Sequence, residues 1–222
     1  VTGAGGGAYT IDNSLRFRRS ASAYLSRVFS SGNRQTWTWS GWVKRGLIGT
    51  NYQLFQSLGA GGFGVEGYID FDSDNLRFQF DYNGGSSWKL VTTQVFRDPS
   101  AWYHIVAVAD TTNATSSDRL KLYVNGSRVT AFSTASYPSQ NANGTFNQAY
   151  THALGARTNP SDYFDGYMAE VYFIGGSALT PSSFGETNAS TGVWQPKAYA
   201  GSYSGTNSFY LKFSDIATTS GS

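Results

Sequence analysis

The chain alternates apolar and polar residues with period two along most of its length, and no stretch sustains a helical period. Asn75 to Tyr82 gives the sharpest case: Leu76, Phe78, Phe80 and Tyr82 fall on one side, and Arg77, Gln79 and Asp81 on the other. That is the pattern of a strand with one buried face. Leu120 to Asn125 repeats it, with Leu122 and Val124 opposed by Lys121 and Tyr123. Trp102 to Ala109 and Phe164 to Ile174 are nearly all apolar, which suits central strands covered on both faces. Thr36 to Lys44 puts Trp37, Trp39, Gly41 and Val43 on one side and Trp42 on the other. Such a strand lies either at the centre of the core or under a sugar-facing platform, and the burial energy of the rings favours the core.

Further strands are predicted at Ser14–Arg18, Ala23–Phe29, Tyr52–Leu58, Gly62–Ile69, Trp88–Val95, Tyr150–Gly155 and Ser208–Phe213. Asn125-Gly126 supplies the left-handed backbone of a tight turn, after which Arg128 to Phe132 can return as the next strand of a meander. Thr180-Pro181 has the form of a helix start, predicting one short helical turn over 181–186. Ser133 to Asn147 shows no periodicity and reads as a long functional or partner-contacting loop. Antiparallel pairs with such apolar inner faces need a second sheet over them, so the expected fold is an all-β sandwich of two antiparallel sheets. Residues 1–8 are a glycine-rich lead-in, 9–215 a single domain and 216–222 a tail.

Composition sharpens this picture. At 222 residues the chain can bury a core unaided, and with no cysteine it has neither disulfides nor thiolate metal sites. Aromatic residues make up 16% of it and glutamate occurs only three times, which favours strands over helices. The formal charge of +2 is too small to indicate a nucleic-acid partner. It is unevenly spread, with seven basic residues against Asp12 between Val1 and Arg45. The sequence shows no membrane-spanning run and no leader. Its one methionine is Met168, so the chain is expected to be part of a longer product.

The candidate chemistry is sparse. Asp70, Asp72 and Asp74 alternate as oxygen ligands for a hard cation would, although the stretch lacks the glycine and terminal glutamate of an EF-hand loop. Exposed rings beside Asn, Asp and Gly suit a sugar, which points to Tyr82, Asn83, Trp88 and Tyr163. His104 lies inside an apolar strand and reads as a satisfied core histidine.

The order DNSLRF, TWTWSGWVKR, WYHIVAVADTT, LKLYVNGSRV, LGAR and FDGYMAEVYFIGGSALTPSSFGE, over residues 9 to 190, resembles the laminin G-like, concanavalin A-like lectin/glucanase domains. It is most similar to versions in tail-fibre and virion structural proteins of marine bacteriophages. The resemblance implies a jelly-roll sandwich that binds carbohydrate or protein. It implies calcium at the sandwich rim, for which Asp110 and Asp118 are a second candidate pair. It also implies a virion-surface location, with host-surface polysaccharide, other virion subunits and copies of the chain itself as partners. Hydrolytic relatives carry a Glu-x-Asp-x-x-Glu strand. Glu66, Glu170 and Glu186 do not reproduce it, so a non-enzymatic domain is expected. Two functions are compatible with the resemblance: adhesion to host glycan, or a structural or decorating role through protein contacts alone.

Overall fold

The computed structural model describes residues 9–58, 65–81, 87–157 and 161–214, without the side chain of Asp81. The strands are β1 (Leu15–Phe17), β2 (Leu25–Val28), β3 (Thr36–Arg45), β4 (Tyr52–Leu58), β5 (Glu66–Asp72), β6 (Asn75–Asp81), β7 (Ser87–Val95) and β8 (Tyr103–Asp110). They continue with β9 (Leu120–Val124), β10 (Ser127–Arg128), β11 (Phe132–Ser136), β12 (Thr151–Leu154), β13 (Gly166–Gly175), β14 (Gly185–Thr187), β15 (Trp194–Pro196) and β16 (Phe209–Leu211).

Two antiparallel sheets stack face to face, as expected of a jelly roll. Sheet A runs β1-β13-β3-β8-β9-β10, with β16 sharing the β13 edge. Sheet B runs β11-β7-β6-β5-β4-β12-β2. The period-two faces decide what lies between them. Trp37, Trp39 and Val43 of β3 and Leu122 of β9 meet Leu76, Phe78 and Phe80 of β6, all fully buried. Each such side chain contributes roughly 1.5–3 kcal/mol by leaving water.

Sheet A has a second covered face. Val106 and Val108 of β8 and Tyr172 and Ile174 of β13 point outward and form a separate apolar cluster with Phe184. Leu179, Tyr199 and Tyr210 pack against that cluster, so the C-terminal part of the chain lies over it. This third layer explains why β8 and β13 are apolar on both sides.

Two sequence expectations are corrected, and one is refined. The short helical turn expected near 181–186 is present as a 3-10 turn, Pro181–Ser183, followed by β14. Thr180 makes no side-chain cap bond. Gly185 lies so close beneath the Trp194 indole that a Cβ would come within 2.5 Å of it, which holds the chain extended against β15. The return strand of the meander is only Ser127–Arg128. The chain then crosses to sheet B as β11, where Phe132 packs on the core edge and pairs with β7. The long loop 133–147 is therefore partly strand, and its end is interior. Phe146 is fully buried, 4.7 Å from the Trp37 ring and 5.5 Å from that of Phe55.

Candidate functional site

The outer face of sheet A holds an open cleft of about 320 Å³ between the N-terminal segment and the C-terminal cover. Trp42, Trp102 and Ala169 form its floor, Pro196 one wall, and Ile11 to Ser14 the other. Trp42 reaches it because β3 alternates: its neighbours Gly41 and Val43 face the core, so Trp42 must face out. The three-tryptophan strand is thus core at Trp37 and Trp39, while Trp42, 8% exposed, lies on the outer face. Trp102 is 36% exposed and its ring lies 6.4 Å from that of Tyr167. Asp12 and Ser14 are exposed, Asn13 half-buried, and Asp12 and Asn13 make no hydrogen bond or ion pair among the described residues. Trp102 offers an exposed ring beside the free groups of Asp12 and Asn13, whereas Trp42 shows the cleft only a small part of its surface. A ring beside carboxylate and amide groups matches what a pyranose presents: apolar C–H faces and a rim of hydroxyls.

A bulge fixes the N-terminal wall. Register between β13 and β3 slips between Ala169 and Tyr172, and Glu170 takes φ +49°, a left-handed conformation that is costly for this residue. Met168 and Val171 both face the core, so Glu170 is the inserted residue. Its carboxylate is 3% exposed and pairs with no cation among the described residues. Instead Oε2 accepts from Tyr9 and Tyr172, each at 2.7 Å, and Oε1 from Tyr210 at 2.5 Å. Burial and these bonds to the carboxylate raise the Tyr172 and Tyr210 hydroxyls well above the ordinary phenol range. Tyr9 anchors the chain two residues before Ile11.

His104 stacks beneath the same floor, between Trp42 at 4.9 Å and Trp194 at 5.9 Å. The Trp194 indole N–H donates to Nδ1 at 3.0 Å, so the neutral ring carries its proton on Nε2 and donates to Ser40 Oγ at 2.8 Å. Ser40 and His104 are therefore in contact, but the nitrogen facing the serine is already protonated and is no general base. Burial pushes His104 down to about 3. The core-histidine reading is borne out.

Of the residues singled out for sugar binding, the two that the structure describes, Trp88 and Tyr163, are not brought together. Tyr82 and Asn83 lie outside the described residues. Trp88 on β7 is directly opposite Phe80, so its half-buried ring packs toward the core, 6.2 Å from Phe80. Tyr163 is at the other side of sheet B, 6.2 Å from the ring of Tyr24 ahead of the edge strand β2.

The carboxylates expected to hold calcium are held by other partners. Arg77 binds Asp70 through both Nε and Nη2, at 2.9 and 2.6 Å, and Asp72 through Nη1 at 2.9 Å. Asp74 faces Arg45 at 3.1 Å and Arg97 at 2.7 Å. Asp110 accepts from Thr112 Oγ1, and Asp118 pairs with Arg128. Among the described residues no three acidic or histidine side chains converge on a common point. A calcium ion at Asp70, Asp72, Asp74 or Asp118 would compete with an arginine, and one at Asp110 with only the Thr112 hydroxyl. Alternation in sequence suggested a ligand set, but strand β6 places Arg77 directly across from Asp70.

A sequence model described as the concanavalin A-like lectin/glucanases superfamily, of laminin G type, matches residues 18–183. The chain belongs to this superfamily. No curated protein sequence matches it. Among solved structures, a heptameric SAP-like pentraxin from Limulus polyphemus aligns with TM-score 0.54 and 14% identity over 85% of each chain. Mouse laminin α1 domains LG4-5 align with TM-score 0.55 and 9% identity, over 95% of this chain and 49% of that one. Tailspike protein 2 of an Escherichia coli O157:H7 bacteriophage aligns with TM-score 0.52 and 13% identity, over 77% of this chain and only 23% of the tailspike. At such identities these likenesses establish the lectin-like sandwich and nothing finer.

Proposed function

We propose that this superfamily member is a non-enzymatic carbohydrate-binding domain of a phage tail fibre or similar virion appendage, and that it attaches to glycan on the host surface. The observation that carries the carbohydrate reading is the outer cleft of sheet A, where Trp42 and Trp102 form an aromatic floor beside Asp12 and Asn13. The tailspike likeness supports the setting. A single cleft of this kind binds at about millimolar, roughly 4 kcal/mol, so firm attachment depends on several copies in one assembly. Hydrolysis is not part of the proposal: the sequence has no Glu-x-Asp-x-x-Glu strand, and Glu66 and Glu170 belong to different sheets.

A glycan array and a pull-down on host cells test this directly. Saturable binding by the wild type that disappears in Trp102→Ala, with an unchanged melting temperature, is the expected outcome. Absence of any saturable sugar or cell binding overturns it.

One observation favours the structural alternative. Edge strand β2 exposes Val28 at 68% and borders an apolar groove of about 170 Å³ lined by Phe29, Phe55, Leu154, Phe209 and Leu211. An open edge of this kind is suited to protein contacts. That reading predicts stable association with other virion subunits or with copies of the chain and no cell binding.

A further inference from the structure

The cleft has a charge as well as a shape, and the selectivity that this charge imposes rests on the cleft being the sugar site. Asp12 is exposed at the rim and has no partner among the described residues. Among those residues no lysine or arginine lines the cleft. Two basic residues close in sequence to its lining bond to groups outside it. Arg16 donates to Asp165 at 2.7 Å and stacks over Tyr167 at 4.9 Å. Lys197, next to Pro196, donates to the Ser182 carbonyl at 3.2 Å. Lys44 lies two residues beyond Trp42 and is not among the lining residues. The chain as a whole carries +2, so the negative character of this spot is local and not a property of the whole surface.

An unpaired carboxylate beside an exposed indole, with no lysine or arginine among the lining residues, suits a cation. An ammonium group can lie over an indole face while pairing with the carboxylate. On a pyranose scaffold that cation is an amine. We infer that the cleft selects an amine-bearing sugar, a hexosamine unit with a free protonated amino group, over its N-acetylated form and over acidic sugars. Acetylation removes the charge that Asp12 recognises. A sugar carboxylate brings a second negative charge next to Asp12 with no guanidinium or ammonium among the lining residues to receive it.

The test is calorimetric titration of the intact chain with three oligosaccharides of equal length: glucosamine, N-acetylglucosamine and galacturonate oligomers. The glucosamine oligomer is expected to bind about tenfold more tightly than the acetylated one, from the summed ion pair and cation–π contact. The galacturonate oligomer should bind most weakly. Asp12→Asn should remove that tenfold advantage, lowering the glucosamine oligomer's affinity to that of the acetylated one. Raising salt to about 0.5 M should shrink the advantage in the wild type. Trp102→Ala should abolish binding of all forms, which separates the cleft from nonspecific adsorption of a polycation. Equal affinity for the glucosamine and acetylated oligomers, or an Asp12→Asn variant that binds like the wild type, overturns the amine preference and leaves the carbohydrate reading standing. Failure of every sugar on the array overturns both.

Discussion

The Tyr9 hydroxyl donates to Glu170 Oε2 at 2.7 Å across 161 residues of chain, joining the start of the described structure to a bulge in the central strand β13. The link sets the position of Ile11 to Ser14, the wall of the cleft. Glu170→Gln keeps one acceptor oxygen but loses the charge shared by three phenols. A loss of about 1–3 kcal/mol in urea unfolding is expected, because at least one buried hydroxyl loses its partner. Tyr9→Phe should cost about 1 kcal/mol and weaken sugar binding more than it lowers stability. A Tyr9→Phe variant with wild-type affinity would show that the wall holds its place without this link.

Acid should destabilise the fold in a defined window. Burial holds His104 at about 3 and His152 at about 4, whereas in the unfolded chain both titrate near 6.5. Below pH 6.5 the unfolded state therefore takes up protons that the folded state refuses, so stability is full above that value and falls as pH drops toward the folded values. Each ring contributes on the order of 3 kcal/mol by pH 4. Asp70 acts in the opposite direction: burial raises it to about 6 against the pull of Arg77, so the folded state gains a proton there first. The net expected loss between pH 7 and pH 4 is on the order of 3 kcal/mol. Urea midpoints measured across that range check it, and a flat profile would contradict it. Asp74 adds a separate fall below its ordinary value. Burial pushes its carboxyl up, but Arg97, the Gly49 N–H and Arg45 outweigh that and hold it down.

Asp70 is completely buried and depends on Arg77 for its charge balance. Arg77→Ala leaves that carboxylate with Gln53 alone, at 3.1 Å, and should cost about 3–5 kcal/mol. The double variant Asp70→Asn with Arg77→Met should recover most of the loss, since removing both charges removes the unpaired one. Calcium should not raise the wild-type melting temperature through Asp70, Asp72 or Asp74 while these arginines hold them.

The scaffold is far more legible in the sequence than the site. Strand faces follow from local alternation, so β3, β6 and β9 can be read directly, down to Trp42 facing away from Trp37 and Trp39. The ends of the 133–147 loop cannot. Phe146 is a lone apolar residue among polar ones, and its burial depends on the space left beside Trp37 and Phe55. The cleft is hidden for a similar reason. Asp12, Trp42, Trp102 and Ala169 come from four separate segments, and only the register of β13 with β3, which sets Ala169 opposite Trp42, brings two of them together. One signal is present in the sequence: a third tryptophan on the wrong side of an otherwise core-facing strand. Alternation along one strand says nothing about the arginine that the next strand sets beside the acidic run.

The hairpin β8–β9 provides the last test, because it separates scaffold from site. Leu122 is fully buried opposite Ala107, inside the same cluster as Trp37 and Phe78. Leu122→Ala should cost about 2–5 kcal/mol through lost burial and the cavity left behind. It should leave sugar affinity unchanged in protein that remains folded, because the cleft floor is built from β3, β13 and the residue preceding β8, on the opposite face of sheet A. Trp102→Ala should do the reverse, abolishing binding at little cost in stability. If Leu122→Ala instead weakened binding at temperatures where it is fully folded, the two faces of sheet A would be coupled through His104, which lies between the Trp42 floor and the Trp194 cover.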